Sequence, residues 1–82
     1  MSNSTYKEAF QKSFGKQVEN LRVAQNLSYR QLAQRCNLDH SVISKIEKGD
    51  VNIQLSSILQ LAKGLNVTAK QLFDFGFDYD SE

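Results

Sequence analysis

An all-helical domain is what this sequence predicts, on three observations. The 82 residues contain no proline and only four glycines, so little interrupts a helix. Apolar residues recur at spacings of three and four along most of the chain, the pattern of buried helical stripes. Alternating runs of β-branched and aromatic residues, the mark of strands, are missing outside the tail that begins at Phe75. The length fits one small domain with a thin core, which oligomerisation would support.

The first helix is predicted over Phe10 to Asn26. Phe10, Phe14, Val18, Leu21 and Ala24 form its stripe, and Tyr6 extends it backwards, so the helix can begin near Thr5. Gly15 weakens this helix by up to about 1 kcal/mol relative to alanine. The segment Asn26-Leu27-Ser28 breaks it, and Ser28 is a good N-cap for a second helix, Tyr29 to Cys36. There Leu32, Ala33 and Cys36 share one face, which makes Cys36 a buried structural thiol. Asn37 is expected in a left-handed cap position, with Leu38 pointing inward.

Asp39 is a strong N-cap for a third helix, His40 to Lys48, with Val42, Ile43 and Ile46 as its expected buried stripe. Gly49 ends it. After the loop Asp50 to Gln54, a fourth helix is predicted over Leu55 to Gly64, with Leu55, Ile58, Leu59 and Ala62 inward and Leu61 shared. Asn66 turns the chain, and Thr68 caps a short fifth helix, Ala69 to Asp74. Leu65, Val67, Leu72 and Phe73 close the core. The chain thus divides into an extension over residues 1–13, partly helical and continuous with the first helix, a domain over 14–74, and an acidic aromatic tail over 75–82.

The stretch from Gln31 to Gly49, QLAQRCNLDHSVISKIEKG, holds the second and third helices and a tight turn. A helix like the third fits the DNA major groove, which is about 12 Å wide. With Val42, Ile43 and Ile46 inward, His40, Ser41, Ser44 and Lys45 face out. Lysine can donate to guanine O6 or N7, serine can contact several bases, and histidine can donate or accept. Phosphate contacts would come from the flanks: Tyr29 and Arg30 at the start of the second helix, Lys48 and Asn52 beyond the third. The bland alternative is an ordinary solvated helix surface.

Charge gives modest support. Residues 1–48 hold eight Lys/Arg against four acids, a balance of +4; residues 49–82 hold two against five, a balance of −3. An anionic partner would meet the first half. One cysteine and one histidine provide neither a disulfide nor a zinc site, so no cofactor or metal is expected. His40 has no nucleophile or second ligand to work with, and neither a phosphate loop nor a carboxylate pair is visible, so no enzymatic activity is expected. No segment approaches the roughly 20 apolar residues needed to span a bilayer, and the start, MSNSTYKEAFQKSF, lacks a continuous apolar run. A cytoplasmic, nucleoid-associated protein with no membrane partner is the expectation.

The order Leu21-Arg22, Leu32-Ala33, Ile43-Ser44, Ile46-Glu47, Gly49, Leu61-Ala62, Leu65 and Leu72-Phe73 resembles the Xre, or lambda-repressor-like, helix-turn-helix family of phage repressors. The resemblance covers Phe14 to Phe73. It implies a five-helix DNA-binding domain whose second and third helices form the helix-turn-helix, with base-reading positions at His40, Ser41, Ser44 and Lys45. It also implies an ion pair between Arg22 and Glu47 that braces the third helix from the first. The chain departs from the family at Tyr29, where glutamine is common, at Asn37, where glycine is usual, and at Ile53, near which proline is frequent.

The leading expectation is therefore a sequence-specific, double-stranded-DNA-binding transcriptional regulator. It would bind a palindromic operator as a homodimer and act by occupancy and contact with transcription machinery. A phage-type repressor, a restriction–modification controller and an antitoxin all fit. The alternative is a protein-interaction module on the same fold, such as an antitoxin binding its toxin, with weak or lost DNA binding. Phe73, Phe75, Phe77 and Tyr79 exceed what a small core needs. They are expected to cover the first helix at Tyr6 and Phe10 and to contribute to a dimer contact.

Overall fold

The computed structural model describes residues 3–78. They form five helices: α1 Asn3–Ala24, α2 Tyr29–Arg35, α3 His40–Lys48, α4 Leu55–Leu65 and α5 Ala69–Leu72. Among the described residues there is no strand. Tyr79 lies outside them.

The expected stops and starts are present with their chemistry. α1 ends because Asn26 adopts φ 59°, which lets the Leu27 amide donate back to the Arg22 carbonyl at 3.2 Å. Ser28 caps α2 in a reciprocal box: its hydroxyl accepts from the Gln31 amide, and the Gln31 side chain accepts from the Ser28 amide. Thr68 and Gln71 repeat that arrangement at α5. Gly49 ends α3 at φ 76°, and Asn66 ends α4 at φ 56°. Asn37 departs from expectation. Among the described residues only Asn26 and Asn66 are non-glycine residues with positive φ. The turn after α2 is instead held by Gln60 of α4, whose side-chain oxygen accepts from the Asn37 amide at 3.0 Å.

The core gathers Phe14 and Val18 from α1, Leu27, Leu32 from α2, Ile43 and Ile46 from α3, Leu61 and Leu65 from α4, and Leu72 from α5. Three stripes differ from the sequence expectation. On α1, Ala24 is exposed. Val42 is 37% exposed, because the inward arc of α3 is Ile43, Ile46 and Glu47. A hydrophobic pattern does not count the glutamate. On α4, Leu55 is 82% and Leu59 64% exposed, while Leu61, Gly64 and Leu65 are buried. Gly64 explains the roll of this helix: a Cβ there would stand 3.0 Å from Leu32 Cδ1 and 3.1 Å from Cys36 Cβ. The missing side chain lets α4 settle on α2. Cys36 is half-buried; its thiol donates to the Leu32 carbonyl at 3.4 Å, and burial pushes its pKa up.

α1 runs unbroken past residue 13, and the start of the tail folds onto it. Phe10 meets Phe75 at 5.4 Å and Phe77 edge-on at 5.2 Å between ring centroids, and Phe14 meets Phe73 at 5.0 Å. Such tilted and edge contacts suit the ring quadrupoles.

Gly15 is buried at the crossing of α1 with α3. A Cβ there would stand 2.6 Å from the Glu47 carbonyl oxygen and 2.8 Å from its carbon. Helix propensity alone favours Gly15→Ala by up to about 1 kcal/mol. The crossing reverses the sign, since overpacking costs about 1–3 kcal/mol. Gly15→Ala should lower the thermal midpoint; a rise would show that α1 and α3 separate easily.

Candidate nucleic-acid interface

The third helix is held from behind. Arg22 of α1 donates from Nε to Glu47 Oε2 at 2.6 Å and from a terminal nitrogen to Oε1 at 2.9 Å. This is a two-pronged fit of guanidinium to carboxylate. Its remaining terminal nitrogen donates to the Leu27 carbonyl at 2.6 Å, and its plane lies 4.4 Å from the Tyr29 ring centroid. One side chain therefore ties together α1, the start of α2 and the end of α3. The hydrogen bond to Glu47 raises the Arg22 pKa further, against the opposing effect of burial.

The outward side of α3 follows from this brace. With 3.6 residues per turn, Ser41, Lys45 and Lys48 lie opposite Ile43, Ile46 and Glu47, and all three are exposed. His40 and Ser44 sit on the border, half-covered. Val42 sits on the other border, and sequence reasoning missed it as an outward residue. Its methyl groups offer an apolar contact of the kind a thymine methyl accepts. The helical period could have found it only if Glu47 had been counted as inward.

The start of α3 is also organised. Asp39 accepts from the Ser41 amide at 3.1 Å and, through a short bond, from the Ser41 hydroxyl. These bonds, the hydroxyl first, hold the Asp39 carboxyl below the usual carboxylate range, with smaller help from His40 and Arg30. Ser41 therefore spends its hydroxyl proton on Asp39 and presents lone pairs outward, which makes it an acceptor for a base amino group. His40 Nδ1 lies 3.9 Å from Asp39 Oδ1.

Of the flanking candidates, Arg30 is exposed at the start of α2, on the side whose charge reaches Asp39. Tyr29 is half-buried with its ring engaged by Arg22, so only its edge and hydroxyl are available to a ligand. Lys48 and Asn52 are exposed at and beyond the last turn of α3. These groups surround one outward helix. They comprise cations, hydroxyls and an amide, the chemistry of groove and phosphate contacts.

A helix-turn-helix protein of the phage-repressor class is what this fold and this braced third helix define. The helix-turn-helix family model HTH_3 matches residues 18–72, and the chain belongs to that family. It is 40% identical over 63 residues to control protein C.BamHI of Bacillus amyloliquefaciens, covering 76% of this chain and 78% of the relative. The restriction-modification controller protein C.AhdI of Aeromonas hydrophila superposes with a TM-score of 0.77 at 37% identity, covering 79% of this chain and 98% of that one. The controller C.Esp1396I, solved as a tetramer in complex with its natural 35-base-pair operator, superposes with a TM-score of 0.73 at 26% identity, covering 79% and 86%. No helix among the described residues is long and apolar enough to cross a membrane.

Proposed function

We propose that this chain is a sequence-specific, double-stranded-DNA-binding transcriptional regulator without enzymatic activity, of the restriction–modification controller type. It binds its operator as a homodimer, with α3 of each protomer in the major groove. The observation that carries this reading is the orientation of α3. The Arg22–Glu47 pair turns Ile43, Ile46 and Glu47 inward, so Ser41 and Lys45 stand outermost, bordered by His40, Ser44 and Val42. Family membership supports the DNA as double-stranded, and the named controllers support this context over a phage repressor or an antitoxin.

In this reading Lys45 and Ser41 read base edges, His40 and Ser44 contribute from the border, and Tyr29, Arg30, Lys48 and Asn52 hold phosphates. Its place in this reading is the cytoplasm, with the DNA it reads. Two protomers would present their α3 helices about 34–36 Å apart, one turn of the duplex.

Selection from random duplexes followed by sequencing tests the reading, and half-site spacing reports the dimer. Lys45→Ala and Ser41→Ala should each reduce discrimination at one position of each half-site by about 1–3 kcal/mol. Lys48→Ala should weaken all duplexes alike and reduce the salt slope by about 1. Unchanged sequence preference in Lys45→Ala would overturn the orientation of α3. Absence of any duplex binding near 50 mM salt, where phosphate contacts are strong, would leave the protein-interaction module instead.

A further inference from the structure

We infer that the first turns of α1 carry an additional DNA-backbone contact, made by Lys7 and Lys12 across a cleft from Asn52. The inference rests on the DNA-binding reading above and extends it to residues outside the helix-turn-helix.

A cleft of about 550 Å³ separates Lys7, Glu8, Gln11 and Lys12 of α1 from Asp50 and Asn52 of the loop after α3. Positions 7, 8, 11 and 12 share one helical face by their spacing. That face is fixed to the end of α3. Gln11 donates from its side-chain nitrogen to the Gly49 carbonyl at 3.4 Å. Lys12 lies so close to Gly49 that a Cβ there would stand 2.6 Å from Lys12 Cγ and 2.8 Å from its Cα. Gly49 follows Lys48 directly, so the cleft opens beside the phosphate contacts already assigned to Lys48 and Asn52. Both Lys7 and Lys12 are exposed, and among the described residues neither ammonium forms an ion pair.

The face is also held from its far side. Phe10 packs on Phe75 and Phe77, which orients the turns that bear the lysines. The family match begins at Val18 and ends at Leu72, so the lysines precede it and the two clasping aromatics follow it. Two segments outside the common domain thus meet, and the lysine-bearing face lies beside the end of α3. Glu8 and Asp50 share the cleft. Within the cleft the two carboxylates balance Lys7 and Lys12 and temper the grip, and exposed Lys48, the residue before Gly49, adds a further cation. A phosphodiester seated here feels both signs, which makes the contact testable in two directions.

The experiment measures binding of the full chain to its selected operator and to random duplex between 50 and 200 mM salt, with melting curves for every variant. Lys7→Gln with Lys12→Gln should reduce the slope of log affinity against log salt by about 1–2, equally on both duplexes. Glu8→Gln should tighten both. Lys7→Gln alone, on an exposed position, should reduce the slope by about 1 even if Lys12 proves necessary for packing against Gly49. Unchanged slopes in the lysine variants, with the parent still binding, would overturn the inference and leave the DNA reading standing. A parent that binds no duplex would overturn both.

Discussion

Arg22→Ala should destabilise the fold by about 3–5 kcal/mol, a loss of more than about 12 °C in Tm for a domain of this size. The magnitude follows from what the arginine leaves behind. Glu47 has a side chain only 3% exposed, so it would remain charged and buried without a partner. The Leu27 carbonyl loses its donor, and the Tyr29 ring loses the plane above it. Arg22→Lys should fail nearly as badly, since an ammonium cannot match the carboxylate with two parallel bonds. Removing both charges is different: Arg22→Met with Glu47→Leu should recover most of the stability, because the penalty lies in the orphaned charge. Denaturant titration of the three variants beside the parent decides it. A loss below about 1 kcal/mol in Arg22→Ala would mean the pair behaves as a solvated surface contact. The pH dependence has a definite sign. The folded-state pKa of Arg22 is raised, so its contribution is fully present below the ordinary guanidinium range and is lost only in strong alkali.

The same pair explains which parts of the fold were legible in the sequence. Caps and stops were readable because they depend on a few local residue types: Ser28, Asp39, Gly49, Asn66 and Thr68 all act where they were expected. The rotation of each helix about its axis was less readable. Hydrophobic periodicity put Val42 inward and had no way to include Glu47, whose burial depends on a partner 25 residues earlier. On α4, Leu55 and Leu59 read as core because they are leucines, whereas the decisive residue was a glycine. Asn37, an expected left-handed cap, has no positive φ, and its amide is instead held by the distant Gln60 side chain. Several glutamines do similar work: Gln17 donates to the Gln71 carbonyl at 2.8 Å and Gln25 to the Leu65 carbonyl at 2.7 Å. Composition scores such residues as surface, so these long-range ties carry no signal in a single sequence.

The candidate interface divides along the same line. Its residue types and order were visible in the stretch from Gln31 to Gly49, since spacing on one helix needs only the helical period. Its ranking was not. Ser41 and Lys45 are outermost while His40 and Ser44 are bordering, a distinction set by the brace. Lys12 carried no local signal at all, because its neighbour Gly49 is 37 residues away in the chain. Proximity of that kind exists only once α1 and α3 have packed.

Leu55→Glu with Leu59→Glu should convert the proposed homodimer to monomers and reduce operator affinity by at least about 100-fold, or about 2.8 kcal/mol. The two leucines lie four residues apart on one face of α4, 82% and 64% exposed. Full burial of a leucine contributes about 1.5–3 kcal/mol, and a two-fold interface would bury the same pair from each protomer. A thin-cored domain has reason to place such a ridge against its copy. The folded monomer should be little affected, because exposed substitutions usually lie within about 0.5 kcal/mol. Affinity should fall because a monomer engages one half-site and loses the gain from joint binding, while binding to an isolated half-site stays as it was. Sedimentation equilibrium reads the first effect, and titration of full and half operators reads the second. A variant that stays dimeric with parental operator affinity would move the interface elsewhere, with exposed Val23 and Phe73 as the next positions to substitute.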